Sequence, residues 1–247
     1  MYNSKLASAF ALLAFTTAQH VTVPTTCTGN FTGGTDEVLY TVPYTYDQVM
    51  SIIGSYKNLT WSGNPDDTVK LNGTDNTVGT ARTYDTAGAH VIETILTYSK
   101  PPSPGPYDEV HNTAVLSVGA LSFYIPYDGT TVTSYCDGKA AQFNFTAQYC
   151  ANNATAAGAI LHMLHLADAV TVGTFLGGQN FTSCAALGAS GASAPPTAPS
   201  TTAGSTATSG APAASSSVVP ATGAAATMYT AGIGAGALAL GAALLAV

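Results

Sequence analysis

The stretch that most constrains this chain is residues 153–178, which read as one long helix. Ile160, Met163, Leu164, Ala167, Val170 and Phe175 recur at helical steps. At ~100° per residue they share one side, with His162, His165 and Ala169 on the other. Asn152 or Asn153 is placed to cap the start, and Gly177-Gly178 supply the positive φ that stops it. An apolar stripe of that length must be covered, and the chain before it reads mainly as strands. The economical architecture is α+β, a curved antiparallel sheet of about six or seven strands packed on a long C-terminal helix.

Residues 37–42 read as a strand stopped by Pro43. Thr45 then caps a short helix: Thr45-Tyr46-Asp47-Gln48 has capping-box form, Tyr44 and Val49 are placed as a hydrophobic staple, and Val49, Ile52, Ile53 and Tyr56 give the buried face. The stretch carrying Asn58, Trp61 and Asn72 shows no strong element. Residues 78–85 and 90–98 form a hairpin around Thr86-Ala87-Gly88, and residues 101–106 a stiff proline loop. Residues 110–118, 121–126, 130–136 and 140–149 are further strands, with turns that include Asp128-Gly129 and Asp137-Gly138. In the last strand Phe143, Phe145 and Tyr149 share one face and Gln142, Asn144 and Gln148 the other. Asn144 lies in an N-x-[ST] sequon and a glycan faces water, so the phenylalanine face is expected inside.

The two ends read as processing signals. Lys5, the apolar run 6–15 and Thr16-Thr17-Ala18 make residues 1–18 a signal peptide. Residues 231–247 are apolar and small, shorter than the ~20 residues of a spanning helix and without a basic stop. With the small residues Gly223-Ala224-Ala225 and a short polar spacer they match a GPI-attachment signal. Gly223 is the expected ω residue, with Ser216 or Ser217 as alternatives, and 224–247 would be removed on maturation. Residues 189–223, nearly all Ala, Ser, Thr, Pro and Gly, are expected to be a disordered, O-glycosylated stalk. That leaves 19–188 as one folded domain. The expected location is the outer leaflet of the plasma membrane, held by the GPI anchor, with cell-wall glycan as a further partner. Sequons at Asn30, Asn58, Asn72, Asn144, Asn153 and Asn180 are candidate glycan sites. A net charge of −7 with only 8% charged residues excludes nucleic acid as a partner.

Cys27, Cys136, Cys150 and Cys184 imply two disulfides in an oxidising compartment, with three connectivities open. No C-x-x-C pair is present, so zinc is not expected. If the hairpin pairs Tyr84 with Val91, Arg82 faces Glu93 on the face of Val78, Tyr84, Val91 and Ile95. That is either an ion pair in a cavity wall or a cross-strand salt bridge on the solvent side. His162 and His165, three apart, lie opposite the apolar stripe with only Asp168 near, and read as surface residues. His90 and His111 have acidic neighbours only at Asp108 and Glu109. No hydrolase, zinc-protease, P-loop or dinucleotide motif occurs, and no cofactor, metal or catalytic residue is assigned.

The order strand, capped helix, loop, strands and long terminal helix resembles the helix-grip fold of the START-like superfamily, which includes polyketide cyclases, lipid-transfer domains and birch-pollen-type allergens. The residues that carry the likeness are Tyr40-Thr41-Val42-Pro43 leading into Tyr46-Asp47-Gln48-Val49. With them go Trp61, Val78-Gly79-Thr80-Ala81-Arg82 and Val91-Ile92-Glu93-Thr94-Ile95, across residues 37–178. The stalk with its GPI signal is similar to those of fungal surface proteins. The resemblance implies disulfides Cys27–Cys150 and Cys136–Cys184, and a hollow between sheet and helix. It further implies a binding module for an apolar small molecule, a lipid or sterol, lined by Phe143, Phe145, Met163, Leu164 and Phe175, with Arg82, Glu93 and Tyr84 at the polar end. The alternatives are a polyketide-cyclase-like enzyme, which needs a polar interior, and a structural or adhesive wall protein, which needs a solid one.

Overall fold

The computed structural model describes residues 26–189, apart from residue 87. The expected signal peptide, the stalk beyond residue 189, Gly223 and the 224–247 signal lie outside the described residues. Seven strands follow in chain order: β1 (Thr32–Val42), β2 (Lys70–Asn72), β3 (Ala81–Thr86), β4 (Ala89–Ser99), β5 (Tyr107–Val118), β6 (Leu121–Tyr135) and β7 (Ala140–Ala151). Helix α1 (Tyr46–Ile53) and a short 3-10 turn (Thr60–Ser62) fall between β1 and β2, and α2 (Ala154–Phe175) follows β7. The strands make one antiparallel sheet in the order β1-β7-β6-β5-β4-β3-β2. The first and last strands pair along their whole length, and α2 runs back over them. This is the helix-grip architecture.

Local chemistry sets the ends of the helices. Thr45 Oγ1 accepts from the Gln48 N–H at 3.3 Å while the Thr45 N–H donates to Gln48 Oε1 at 2.9 Å, a complete capping box. Asn153 caps α2 by accepting from the Ala156 N–H at 3.1 Å. Past its end, Gly177 and Gly178 take φ of 130° and 71°, and the Gly178 N–H closes on the Gly173 carbonyl. The disulfides are Cys27–Cys150 and Cys136–Cys184, with Cα atoms 5.7 and 5.0 Å apart.

Three expectations need correction. β1 begins at Thr32, not at residue 37, because Gly33 and Gly34 already pair with Cys150 and Tyr149. The stretches 121–126 and 130–136 are one strand, β6, so Asp128-Gly129 is not a turn. Its register against β7 shifts between Tyr124 and Tyr127, a bulge that falls at Pro126, which has no N–H for the ladder. Above all, α2 is rotated from its expected face. Met163, Leu164 and Phe175 are 40, 43 and 50% exposed, and the inward row is Ala157, Leu161, His165, Ala169 and Val172. The helix is apolar all round, enough to pass by composition for a membrane-spanning segment. Close packing on the strands therefore selects the face that carries Ala157, Gly158, Ala169 and Gly173.

Tyr149 shows how tight that packing is. Its ring lies over Gly34 of β1, and its hydroxyl donates to the Ala154 carbonyl at 3.0 Å beside Gly158 of α2. A Cβ on either glycine would overlap the tyrosine. Gly158→Ala is therefore expected to lower stability by about 1–3 kcal/mol, although alanine favours a helix by up to about 1 kcal/mol over glycine. A denaturation midpoint above that of the wild type would show the packing to be looser than this.

Phe143, Phe145 and Tyr149 face inward, as their alternation implies. Asn30, Asn72, Asn153 and Asn180 are exposed. Asn58 is tied down, its Nδ2 donating to the Ile52 carbonyl at 2.9 Å. Asn144, expected to face water, is half-buried, its Oδ1 enclosed without a partner among the described residues.

Candidate functional site

The β3–β4 hairpin pairs Arg82 with Glu93 and Tyr84 with Val91. Both charges point inside the grip, not to solvent. Arg82 Nε lies 2.5 Å from Glu93 Oε2, an Nη of the same guanidinium donates to the Tyr56 carbonyl at 2.9 Å, and the Tyr84 hydroxyl donates to Glu93 Oε1 at 2.9 Å. The guanidinium also sits 4.0 Å from the centre of the Tyr56 ring. Tyr56 is itself held by its N–H, which donates to Asn76 Oδ1 at 2.8 Å. Burial opposes the charge on Arg82, but Glu93 and Glu109 outweigh it and raise its pKa.

Along β5, Tyr107, Glu109, His111 and Thr113 alternate onto the same inner face. The Tyr107 hydroxyl donates to Glu109 Oε2 at 2.6 Å. His111 Nδ1 is 3.4 Å from Glu109 Oε1, and its Nε2 lies 3.6 Å from Glu93 Oε1 and 3.7 Å from Asp128 Oδ2. Asp128 reaches the interior because the β6 bulge resets the alternation after Ile125. It stands opposite Ala147 of β7, and Asp36 of β1 stands opposite the same alanine from the other side. The methyl of Ala147 leaves room between the two carboxylates for His165, which descends from α2. Its Nδ1 is 3.0 Å from Asp36 Oδ2, its Nε2 is 3.3 Å from Asp128 Oδ1, and its ring stacks on Phe145. His162, half exposed, puts Nδ1 2.9 Å from the other Asp36 oxygen.

These contacts set the protonation states. Burial opposes a charged His165, but Asp128 first and Asp36 with it outweigh burial and hold its pKa up at about 10. His111 is raised in the same way, against burial, by Glu93, Glu109 and Asp128. Burial would raise the carboxyls of Asp128 and Glu109, yet both are lowered, Asp128 chiefly by His165 and Glu109 by His111 and Arg82. Asp168 goes the other way: burial pushes it up to about 7 despite His165 and a hydrogen bond with Ser62.

Among the described residues, two buried hydroxyls on this inner face, Tyr56 Oη and Thr113 Oγ1, have no hydrogen-bonding partner, and His111 Nδ1 has only the 3.4 Å contact with Glu109 Oε1. The Tyr56 and His111 rings lie 6.3 Å apart, and Thr113 stands opposite Glu93 in the β4–β5 register. The cluster presents two hydroxyls and an imidazole beside a guanidinium–carboxylate pair. It can donate to an oxygen acceptor and exchange a proton with it.

The structure brings Arg82, Tyr84 and Glu93 together here, with Phe143 and Phe145 stacked on each other in the adjoining core. It does not bring Met163, Leu164 or Phe175, which face away. A shallow pocket between Tyr40, Val42, Val170 and Gly178 is lined by residues outside this cluster. Among the described residues no group of His, Cys, Asp and Glu is arranged to hold a metal. His165, expected at the surface, is buried between two carboxylates. Sequence reasoning weighed Glu109, His111 and His165 without assigning them to a site, and it missed Asp36 and Asp128 altogether. A signal for the first two existed, because Glu109 and His111 share strand parity with the aromatic Tyr107.

No protein-family model matches the chain, and no curated protein matches it. Solved structures similar to it include a protein from Nitrosospira multiformis, at 10% identity over 57% of this chain and 94% of that one, with a TM-score of 0.44. A hypothetical protein from Helicobacter pylori is 12% identical over 58% and 86% of the two chains, TM-score 0.44. Norcoclaurine synthase from Thalictrum flavum, in complex with dopamine and hydroxybenzaldehyde, is 10% identical over 67% of this chain and all (100%) of that one, TM-score 0.43. The fold assignment rests on the strand order and the placement of α2.

Proposed function

We propose that this domain binds a small molecule inside the grip through an oxygen-bearing polar group, held at Tyr56, His111 and Thr113 beside Arg82 and Glu93. The observation that carries the reading is a pair of buried hydroxyls, Tyr56 Oη and Thr113 Oγ1, without a partner among the described residues, on the same inner face as the loosely held His111 Nδ1. Each such group left unsatisfied costs about 1–3 kcal/mol, so two hydroxyls on one inner face make sense where a ligand completes them. Both hydroxyls can donate and His111 favours its charged form, so the matching group is an acceptor: a carbonyl, carboxylate or phenolic oxygen. A lipid or sterol is the less favoured ligand, because Met163, Leu164 and Phe175 face outward and the inner face carries charges.

The setting proposed for it is the cell surface, through secretion and a GPI anchor, with wall glycan as a second point of attachment. These proposals are supported by the sequence patterns at the two ends, and the glycans by exposed Asn30, Asn72, Asn153 and Asn180.

The test is a titration of the histidine-labelled protein with benzoate, 4-hydroxybenzaldehyde, oleate and ergosterol, followed by NMR. Benzoate or the aldehyde is expected to shift the His111 ring signals saturably, and Thr113→Val to weaken that shift. Binding of oleate or ergosterol alone would restore the lipid reading, and silence from all four would leave the charges a structural role. A second reading, acid–base catalysis, is favoured by one observation: two buried imidazoles with raised pKa values stand against carboxylates with lowered ones.

A further inference from the structure

One row of side chains reaches from the surface to this cluster. His162 Nδ1 is 2.9 Å from Asp36 Oδ1, and Asp36 Oδ2 is 3.0 Å from His165 Nδ1. His165 Nε2 is 3.3 Å from Asp128 Oδ1, and Asp128 Oδ2 is 3.7 Å from His111 Nε2. Imidazole and carboxylate alternate, and Asp36, His165 and Asp128 each spend their two polar atoms on two different neighbours. Asp36, His165, Asp128 and His111 are buried, whereas the outer end, His162, has a side chain 50% exposed. The packed face of α2 and the contacts of His165 already hold the helix on the sheet. A half-exposed second imidazole on the far oxygen of Asp36 adds little to that anchor, but it gives the buried row an outlet to water.

We propose that the row is a proton relay between solvent at His162 and the buried imidazole of His111, and that the ligand class is one that gains or loses a proton at the site. The second half of that statement rests on the ligand-site reading above; the relay does not. In the outward step the N–H bond of His165 at Nδ1 breaks as an O–H bond forms on Asp36. That O–H is on Oδ2, so the carboxyl group must turn to present it to His162. The bond then breaks as the proton joins Nδ1 of a neutral His162 in its Nε2–H tautomer, whose Nε2–H goes to water. His165 is left neutral, His162 returns to neutral, and the reverse sequence restores the charge. The step between Asp128 and His111, at 3.7 Å, is the longest. The other charged groups that face the row are Arg82 from β3, Glu93 from β4, Glu109 from β5 and Asp168 from α2 itself. They fix the field along it without lying between its members.

The experiment compares wild type with His162→Gln, which keeps a side chain able to bond Asp36 but cannot titrate. The exchange rate of the His165 ring N–H with water is read by NMR in ligand-free protein, together with backbone amide exchange along α2 and β1. A relay predicts ring exchange slowed by about tenfold or more in H162Q, with amide exchange unchanged. An unchanged ring rate would overturn the proposal, as would ring exchange that simply follows opening of α2. No ligand is used, so this result stands or falls separately from the benzoate titration.

Discussion

Asp36→Ala is expected to destabilise the domain by about 3–5 kcal/mol, whereas Asp85→Ala is expected to cost less than about 1 kcal/mol. Each removes a carboxylate held within hydrogen-bonding distance of a histidine, at 2.9–3.0 Å for Asp36 and 2.7 Å for Asp85. The difference is the surroundings. Asp85 and His90 stand in water at the end of the hairpin, where solvent replaces whatever is lost. Asp36 is 2% exposed, and its loss leaves the charged face of His165 against the alanine methyl and Phe145. For a domain of this size about 1 kcal/mol corresponds to 2–4 °C, so the melting temperature should fall by roughly 10 °C. Denaturant midpoints for the two variants decide it. Equal and small losses would mean that water already reaches Asp36, and the buried row would have to be redrawn.

That contrast also shows where the sequence could and could not be read. The span of α2 was legible because its ends carry local chemistry: Asn153 offers a cap, and Gly177-Gly178 offer the positive φ. The pairing of Arg82 with Glu93 was legible because a short hairpin fixes its own register. The inward face of α2 was not, since a helix apolar on every side gives periodicity nothing to choose between. The choice is made by Gly158, Ala157 and Ala169, whose small size lets α2 approach β1 and β7, and by two aspartates far away in sequence.

The rest of the candidate site was hidden by its backbone context. Asp128 precedes a glycine, and Asp-Gly is a strong turn signal. Only the bulge at Pro126 keeps the strand going and turns that carboxylate inward. Asp36 follows Gly33-Gly34-Thr35, a composition that argues against a strand. Gly34 is there because Tyr149 occupies the space a side chain would take. Both aspartates therefore depend on long-range packing, which no local pattern reports. His165 was misplaced for the same reason, because its partners lie 129 residues away in Asp36 and across the sheet in Asp128.

The protonation states of the row lead to the other large effect, a stability that falls from mildly acidic to alkaline pH. His165 has a folded pKa near 10 against an ordinary 6.5, so its contribution is complete below pH 6.5 and is lost as pH rises through 10. Between pH 6.5 and 9 this one group removes about 3 kcal/mol, and His111, raised in the same direction, adds to the loss. Asp168, raised to about 7, favours folding while protonated, and that contribution is lost as pH climbs from 3.8 towards 7. Asp128 and Glu109 act at the opposite end: their lowered pKa values stabilise the fold above the ordinary carboxylate range, and that is lost as pH falls through their folded values. The maximum therefore belongs at roughly pH 4–6, towards the acid end of the range of roughly 5–8 common for folded proteins. Denaturant titrations at pH 5, 7 and 9 measure it, with His165→Gln expected to flatten the alkaline limb. A wild-type midpoint that stays level or rises from pH 5 to 9 would show that the imidazole between Asp36 and Asp128 is neutral, and the alternation of charge along the row would go with it.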